Sequence, residues 1–181
     1  MSGLFITIEG IECVGKSTNA KFISQYLQKK KIKSHITREP GGTKVGEKIR
    51  NILLFENQES ISPTAELMLL FAARDSHIND VIKPKLSQGT WVICDRFTDA
   101  SFAYQGYGRK LSLDLIDRLI KGINCPTPDL TIIYDLDVKI GFERKIAMLF
   151  FFIPSIHFWT CIPGKDSIIF LLLSSFFYLY I

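Results

Sequence analysis

Four cysteines stand in 181 residues, at positions 13, 94, 125 and 161, with no CxxC pair among them. Neither a zinc site nor a disulfide framework is indicated, and thiols spread this way point to a reducing, cytoplasmic setting. A secretory leader is also missing: the apolar run from Leu4 to Ile8 is too short for an h-region and runs directly into Glu9. No internal repeat is visible, and no Pro/Gly/Ser-rich linker precedes residue 145. Charge of one sign is not in excess, since 22 basic against 18 acidic residues leave a formal charge of +4. Such a balance permits anionic ligands but not the basic stripe of a nucleic-acid-coating protein. The lysines at 29–31 and 33 read instead as a solvated helix end, where cations favour the dipole.

Charge is scarce in one place. Of the 40 charged residues, only Lys165 and Asp166 lie in the last 36 positions, which also hold 10 of the 22 aromatics. Two compositions therefore meet near residue 145. Residues 1–145 are of ordinary globular make-up and amount to about one domain; residues 146–181 form an apolar tail.

In the first part, short apolar runs alternate with helical periodicity. LFITIE (4–9), HIT (35–37), WVICD (91–95) and LTIIYDLD (130–137) read as strands, the first, third and fourth of them buried. Residues 16–30, 44–55, 64–86 and 112–122 carry helical spacing, the third stopping near Pro84. The alternation implies right-handed βαβ crossovers, hence an α/β fold with a parallel sheet covered by helices on both faces.

Residues 10–17, GIECVGKS, match G-x-x-x-x-G-K-[ST] between a predicted strand and a predicted helix, the context that makes a P-loop. A loop wrapping polyphosphate needs glycines so that backbone N–H groups converge on the oxygens, and the helix that follows adds its N-terminal donors. Gly10, Ile11, Glu12, Cys13, Val14, Gly15, Lys16, Ser17 and Thr18 are thus the candidate ATP-binding residues. Lys16 reaches the β/γ-phosphates, and the Ser17 hydroxyl is a ligand for Mg²⁺. The guanine-reading NKxD is absent. Asp95 and Arg96 directly follow an apolar strand, which puts them at the carboxyl edge of the sheet where ligands of open α/β sheets bind. There an aspartate orients Mg²⁺ or its waters, and an arginine clamps a second phosphate. Lys16, Asp95 and Arg96 form the candidate catalytic set.

Beyond the P-loop, the segments TREPGGT (37–43), ELMLLFAAR (66–74), GTWVICDRFTDASFAYQGYGR (89–109) and PDLTIIYDLDV (128–138) follow one another in the order and spacing of bacterial thymidylate kinases. The resemblance covers residues 3–144. It implies a P-loop nucleoside monophosphate kinase with a five-stranded parallel sheet, Mg·ATP-dependent phosphorylation of dTMP to dTDP, and usually a homodimer. It also implies roles: Glu12 meeting the deoxyribose 3′-hydroxyl, Arg96 holding the dTMP phosphate with Arg38 and Arg50 as further candidates, and Asp95 serving the metal. Arg74 would hydrogen-bond the thymine edge while an aromatic stacks on its face; that residue is Phe71 in one register, whereas the other register puts Leu70 there, and Phe71 as plain helix core is the competing reading. Ser101, Tyr104 and Gln105 would line sugar and base, Tyr104 crowding a ribose 2′-hydroxyl.

The departure from the family is at the end. Members whose P-loop lacks a basic residue, as here, supply arginines from a lid after the strand equivalent to LTIIYDLD. Residues 141–145 begin that helix, and then the pattern stops: residues 146–181 contain no D-R-x-E segment and no arginine. The lid and the last strand are expected to be missing. Phe, Ile, Leu, Ser and Tyr, which dominate the tail, are residues of AT-rich codons, so a shifted reading frame is the favoured origin, with a membrane segment and genuine divergence as alternatives. A chain without lid cations is expected to bind both nucleotides yet transfer the phosphoryl group slowly or not at all.

Overall fold

The structure, a computed structural model, describes residues 2–54 and 61–151, the last four of these by backbone alone. The chain divides into two units, Met1–Ile146 and Ala147–Ile181. Of the second unit only the helical residues 147–151 are described, so the expectations for the rest of the tail lie outside the described residues. Among the described residues no helix is long and apolar enough to cross a membrane.

Among the described residues four parallel strands, β1 (Phe5–Gly10), β2 (Ser34–Arg38), β3 (Trp91–Asp95) and β4 (Leu130–Tyr134), form one sheet in the order β2-β3-β1-β4. Side-chain alternation divides the core between its two faces. Phe5, Val92 and Cys94 point one way and pack with Ile78, Ile82 and Phe97. Ile8 and Ile93 point the other way, onto Ala20 and Leu27 of helix α1 (Lys16–Lys29). A third cluster lies between α3 (Pro63–His77) and α6 (Leu113–Gly122), where Leu67, Phe71 and Ile116 meet. Both helices start where the sequence offers a cap: Ser62 accepts from the Ala65 N–H and Ser112 from the Leu115 N–H.

Helix α2 (Lys44–Leu54) matches its spacing. The helical run predicted over 64–86, stopping near Pro84, ends at Ser87. It passes from α3 through a π-helical turn, Ile78–Ile82, into α4 (Lys83–Ser87). Proline lacks an N–H and collides with the carbonyl four residues back; a widened π turn just upstream moves that carbonyl away. The AYQG segment is helical too, α5 (Thr98–Ser101) leading into a second π turn over Phe102–Gly108. Residues 135–137 are not strand: Asp137 ends the loop after β4, its carboxylate accepting from the Lys139 N–H as α7 (Val138–Phe151) begins. Helix α7 continues across the change of composition at residue 145.

The expectation of a buried fourth strand is corrected. Among the described residues β4 pairs with β1 alone, and Ile133 is 71% exposed. An apolar run of five residues reads the same whether its strand is central or at an edge.

Ile116 is fully buried and joins α6 to α3. Ile116→Ala is expected to lower unfolding free energy by about 2–5 kcal/mol, read by urea denaturation. A loss below ~1 kcal/mol would show that the third cluster contributes little.

Candidate active site

The loop from Gly10 to Lys16 joins β1 to α1. Gly10 has φ +135, and a Cβ there would lie 2.6 Å from the Tyr134 carbonyl oxygen, so only glycine fits against β4. Gly15, at φ +97, turns the chain into α1. That helix has no side-chain cap and no acidic residue in its own first turn, so the positive end of its dipole faces the loop. The Lys16 ammonium is buried and donates to the carbonyls of Gly10 and Ile11 at 3.1 and 2.7 Å. Burial pushes its pKa down, and the neighbouring Arg96 adds to the effect.

Ser17 donates from Oγ to Asp95 Oδ2 at 3.1 Å. The other carboxylate oxygen, Oδ1, is buried without a hydrogen-bond partner. A hydroxyl beside a half-satisfied carboxylate is a donor set that suits a hard divalent cation, and Mg²⁺ fits it. Asp95 lies beside Ile8 of β1 and Arg38 of β2 in the sheet register, and its carbonyl accepts from the Glu39 N–H.

Arg96, in the left-handed region at φ 70, turns out of the sheet and lays its guanidinium over the Tyr104 ring at 5.0 Å. Arg50 donates to the Pro40 carbonyl, and Arg38 pairs with Glu47 at 3.0 Å. Burial lowers the Arg50 pKa, with Arg38 and Arg96 acting in the same direction. Cations held down by burial and by neighbouring cations, as Lys16 and Arg50 are, are a configuration a polyanion relieves. The same edge therefore gathers Lys16, Ser17, Asp95 and Arg96, with Arg50 close enough to feel Asp95 and Arg96.

The remaining residues singled out from the sequence are placed differently. Glu12 is exposed and paired with Lys145 of α7, which lowers the Glu12 pKa and raises that of Lys145. Helix α7 can lie this close because Gly141 faces the loop: a Cβ there would come within 2.7 Å of Ile11 Cδ1. Ser101 and Gln105 are buried, Gln105 donating to Glu66, while Tyr104 is half exposed. Arg74 is 3% exposed and held by Glu39 at 2.7 Å and by the Phe97 carbonyl at 3.0 Å; its Nη1 is buried without a partner. Phe71 is corrected as an open stacking face. Its ring is 3% exposed, packed in the cluster with Leu67 and Ile116 and covered by the Arg74 guanidinium at 4.7 Å. The core reading is the one the structure gives, and half-buried Leu70 is the more accessible of the pair.

Sequence reasoning missed four residues. Glu9, whose pKa burial raises, accepts from the Phe97 N–H at 2.8 Å and so anchors the strand-to-helix turn. Lys145 meets the P-loop. Glu39 and His77 form a buried pair at 2.9 Å beneath Arg74. For Glu39 the TREPGGT run was a signal; for His77 the helical spacing from Arg74 was one.

The thymidylate kinase family model matches residues 8–147. The chain belongs to the thymidylate kinase family. By family it is a nucleoside monophosphate kinase with the P-loop α/β fold. It is 49% identical to the thymidylate kinase of Teredinibacter turnerae over 150 residues, covering 81% of this chain and 72% of that one. Identity with the thymidylate kinase of Ruthia magnifica is 53% over 143 residues, covering 78% of this chain and 70% of the relative. Among solved structures, the thymidylate kinase of Ehrlichia chaffeensis superposes with a TM-score of 0.68 at 36% identity, covering 83% of this chain and 86% of that one.

Gly42, in the family's TREPGGT segment, has φ +79, and a Cβ there would sit 2.4 Å from the His77 ring. Gly42→Ala is expected to cost well over the ~1–2 kcal/mol of left-handed strain alone. Gly122→Ala, with nothing within 4 Å, is the control and is expected to be neutral or stabilising by up to ~1 kcal/mol. Equal unfolding midpoints for the two variants would contradict the packing of Gly42 on His77.

Proposed function

We propose that this chain is a cytoplasmic thymidylate kinase, taking the γ-phosphoryl group of ATP to the 5′-phosphate of dTMP and giving ADP and dTDP. The observation that carries the reading is the convergence of Lys16, Ser17, Asp95 and Arg96 at the carboxyl edge of β1 and β3. A dTMP phosphate oxygen attacks the γ-phosphorus while the bond to the β–γ bridging oxygen breaks, and the electron pair leaves with ADP. No general base is required; positioning and charge neutralisation do the catalysis. Ser17 and Asp95 would hold Mg²⁺, and a metal there would supply electrostatic neutralisation of the ATP phosphates. Lys16 exchanges its two loop carbonyls for phosphate oxygens. Arg96, stiffened against Tyr104, takes the acceptor phosphate, with Arg38 and Arg50 behind it. Glu12 accepts from the 3′-hydroxyl once Lys145 releases it, and Arg74 Nη1 is the free donor for the thymine edge. Leu70, rather than Phe71, covers the base face. Ser101, Tyr104 and Gln105 complete the acceptor side.

A second reading, a nucleotide-binding chain that no longer turns over, is favoured by the composition after residue 145, where Lys165 is the single cation. Arginines over the transferring group are worth about 10³–10⁵ in rate. ADP formation on adding dTMP separates the two readings: turnover supports the kinase, and binding of both nucleotides without turnover supports the second.

Lys16→Ala is expected to abolish detectable ATP binding in calorimetry, since the backbone cradle alone leaves the γ-phosphate charge uncompensated. In the unmodified chain dTMP should bind better than dUMP by roughly tenfold, the worth of one buried methyl. Equal affinity for UMP and dTMP would reject the thymidylate assignment.

A further inference from the structure

Beneath Arg74 lies a chain of hydrogen bonds that no role above accounts for. Thr37 Oγ1 meets His77 Nε2 at 2.6 Å; His77 Nδ1–H donates to Glu39 Oε1 at 2.9 Å; Glu39 Oε2 accepts from Arg74 Nε at 2.7 Å. Arg74 Nη2 then donates to the Phe97 carbonyl at 3.0 Å. His77 is 0% exposed, Arg74 3% and Glu39 6%. With Cys94, Glu39 and His77 also make up a group whose ligand atoms all lie within 4.8 Å of one another. A metal is nonetheless the wrong occupant. Both imidazole nitrogens and both carboxylate oxygens already have protein partners, and Cys94 donates its thiol proton to the Arg96 carbonyl. Burial pushes that thiol pKa well up, away from the thiolate a metal needs.

A closed chain of this kind fixes orientation. The guanidinium lies over the rings of both Phe71 and Phe97, at 4.7 and 5.3 Å. The rings restrain its tilt, and Glu39 and the Phe97 carbonyl fix its rotation in its own plane. What remains is Nη1, buried and without a partner. Glu39 can set that rotation only if its own carboxylate is pinned from the far side, and His77 Nδ1 is the group that pins it. The imidazole is held in turn by Thr37 and by the backbone of Gly42, which leaves no room for a Cβ.

We propose that His77 is a positioning residue for base recognition, acting through Glu39 to hold Arg74 Nη1 at the angle that meets the nucleobase edge. This inference rests on the thymidylate kinase reading of Arg74. It separates from a plain structural role because the two imidazole nitrogens do different things: Nδ1 serves Glu39 and the nucleotide, and Nε2 serves Thr37 and the fold.

Two near-isosteric substitutions distinguish them. In His77→Asn the side-chain amide takes the place of Nδ1 and still donates to Glu39. In His77→Gln it takes the place of Nε2, keeping Thr37 and leaving Glu39 unpinned. Binding of dTMP, dCMP and ATP to the full chain is measured by calorimetry, with thermal unfolding alongside. The Asn variant is expected to bind dTMP within about threefold of the unmodified chain, and the Gln variant about tenfold more weakly, the worth of one hydrogen bond. The preference for dTMP over dCMP should shrink by the same factor in the Gln variant alone, with ATP affinity unchanged in both. Equal losses in the two variants, or losses shared by dTMP, dCMP and ATP in step with melting temperature, would overturn the proposal. If neither variant folds, Glu39→Gln carries the test: dTMP binding must fall while ATP binding holds, and unchanged dTMP binding overturns the role. Failure of the unmodified chain to bind dTMP would instead strike the thymidylate reading itself, and this role with it.

Discussion

Ile8 of β1 lies opposite Asp95 of β3, and most of the site hangs from that one pairing. Because the strands are parallel, both end at the same edge, so the P-loop that leaves β1 and the Asp95–Arg96 turn that leaves β3 emerge side by side. Two further hydrogen bonds fix the exit: the Arg96 N–H donates to the Ile8 carbonyl, and the Phe97 N–H donates to the Glu9 carboxylate. A slip of β3 by one residue in this register would turn Asp95 away from Ser17 and put Ile93 on the face opposite Ile8. The hydrophobic division of the core and the geometry of the Ser17–Asp95 pair are therefore set by the same constraint.

The anionic character of the proposed site follows from what surrounds that edge. Lys16 is desolvated and Arg50 is partly so; Arg96 sits close enough to disfavour both charges, and Arg38 adds to the effect on Arg50. Each cation has a local partner that keeps it ordered: loop carbonyls for Lys16, the Pro40 carbonyl for Arg50, Glu47 for Arg38 and the Tyr104 ring for Arg96. These partners are mostly neutral, so the cations are held in place largely without direct ion pairs, a pre-ordering that favours binding of phosphate.

What could be read from the sequence was whatever local spacing dictates. The P-loop is contiguous, and its glycines and lysine have a single use in a strand–helix junction; Asp95 and Arg96 follow from the strand that ends on them. Burial of Arg74 was not legible, because its partners stand 35 residues before it and 23 after it. Phe71 shows the limit well: position 71 on a helix facing α6 and position 70 beside it differ by 100° of rotation, and nothing in FAAR tells which face the core occupies. The π turns at 78–82 and 102–108 also escaped, since a five-residue repeat superimposed on helical spacing looks like ordinary helix.

Phe71 packs with Leu67 and Ile116 and also lies under the Arg74 guanidinium. A single ring thus belongs both to the core that holds α6 on α3 and to the wall behind the proposed base-reading arginine. On the proposed reading of Arg74, core packing and nucleotide choice are for that reason not independent traits in this fold. A substitution in α6 that loosens the contact is felt as a change of selectivity as well as of stability, and drift in one must be answered by drift in the other. Residues of α6 that never approach a substrate are then under the constraint ordinarily found only in a binding pocket.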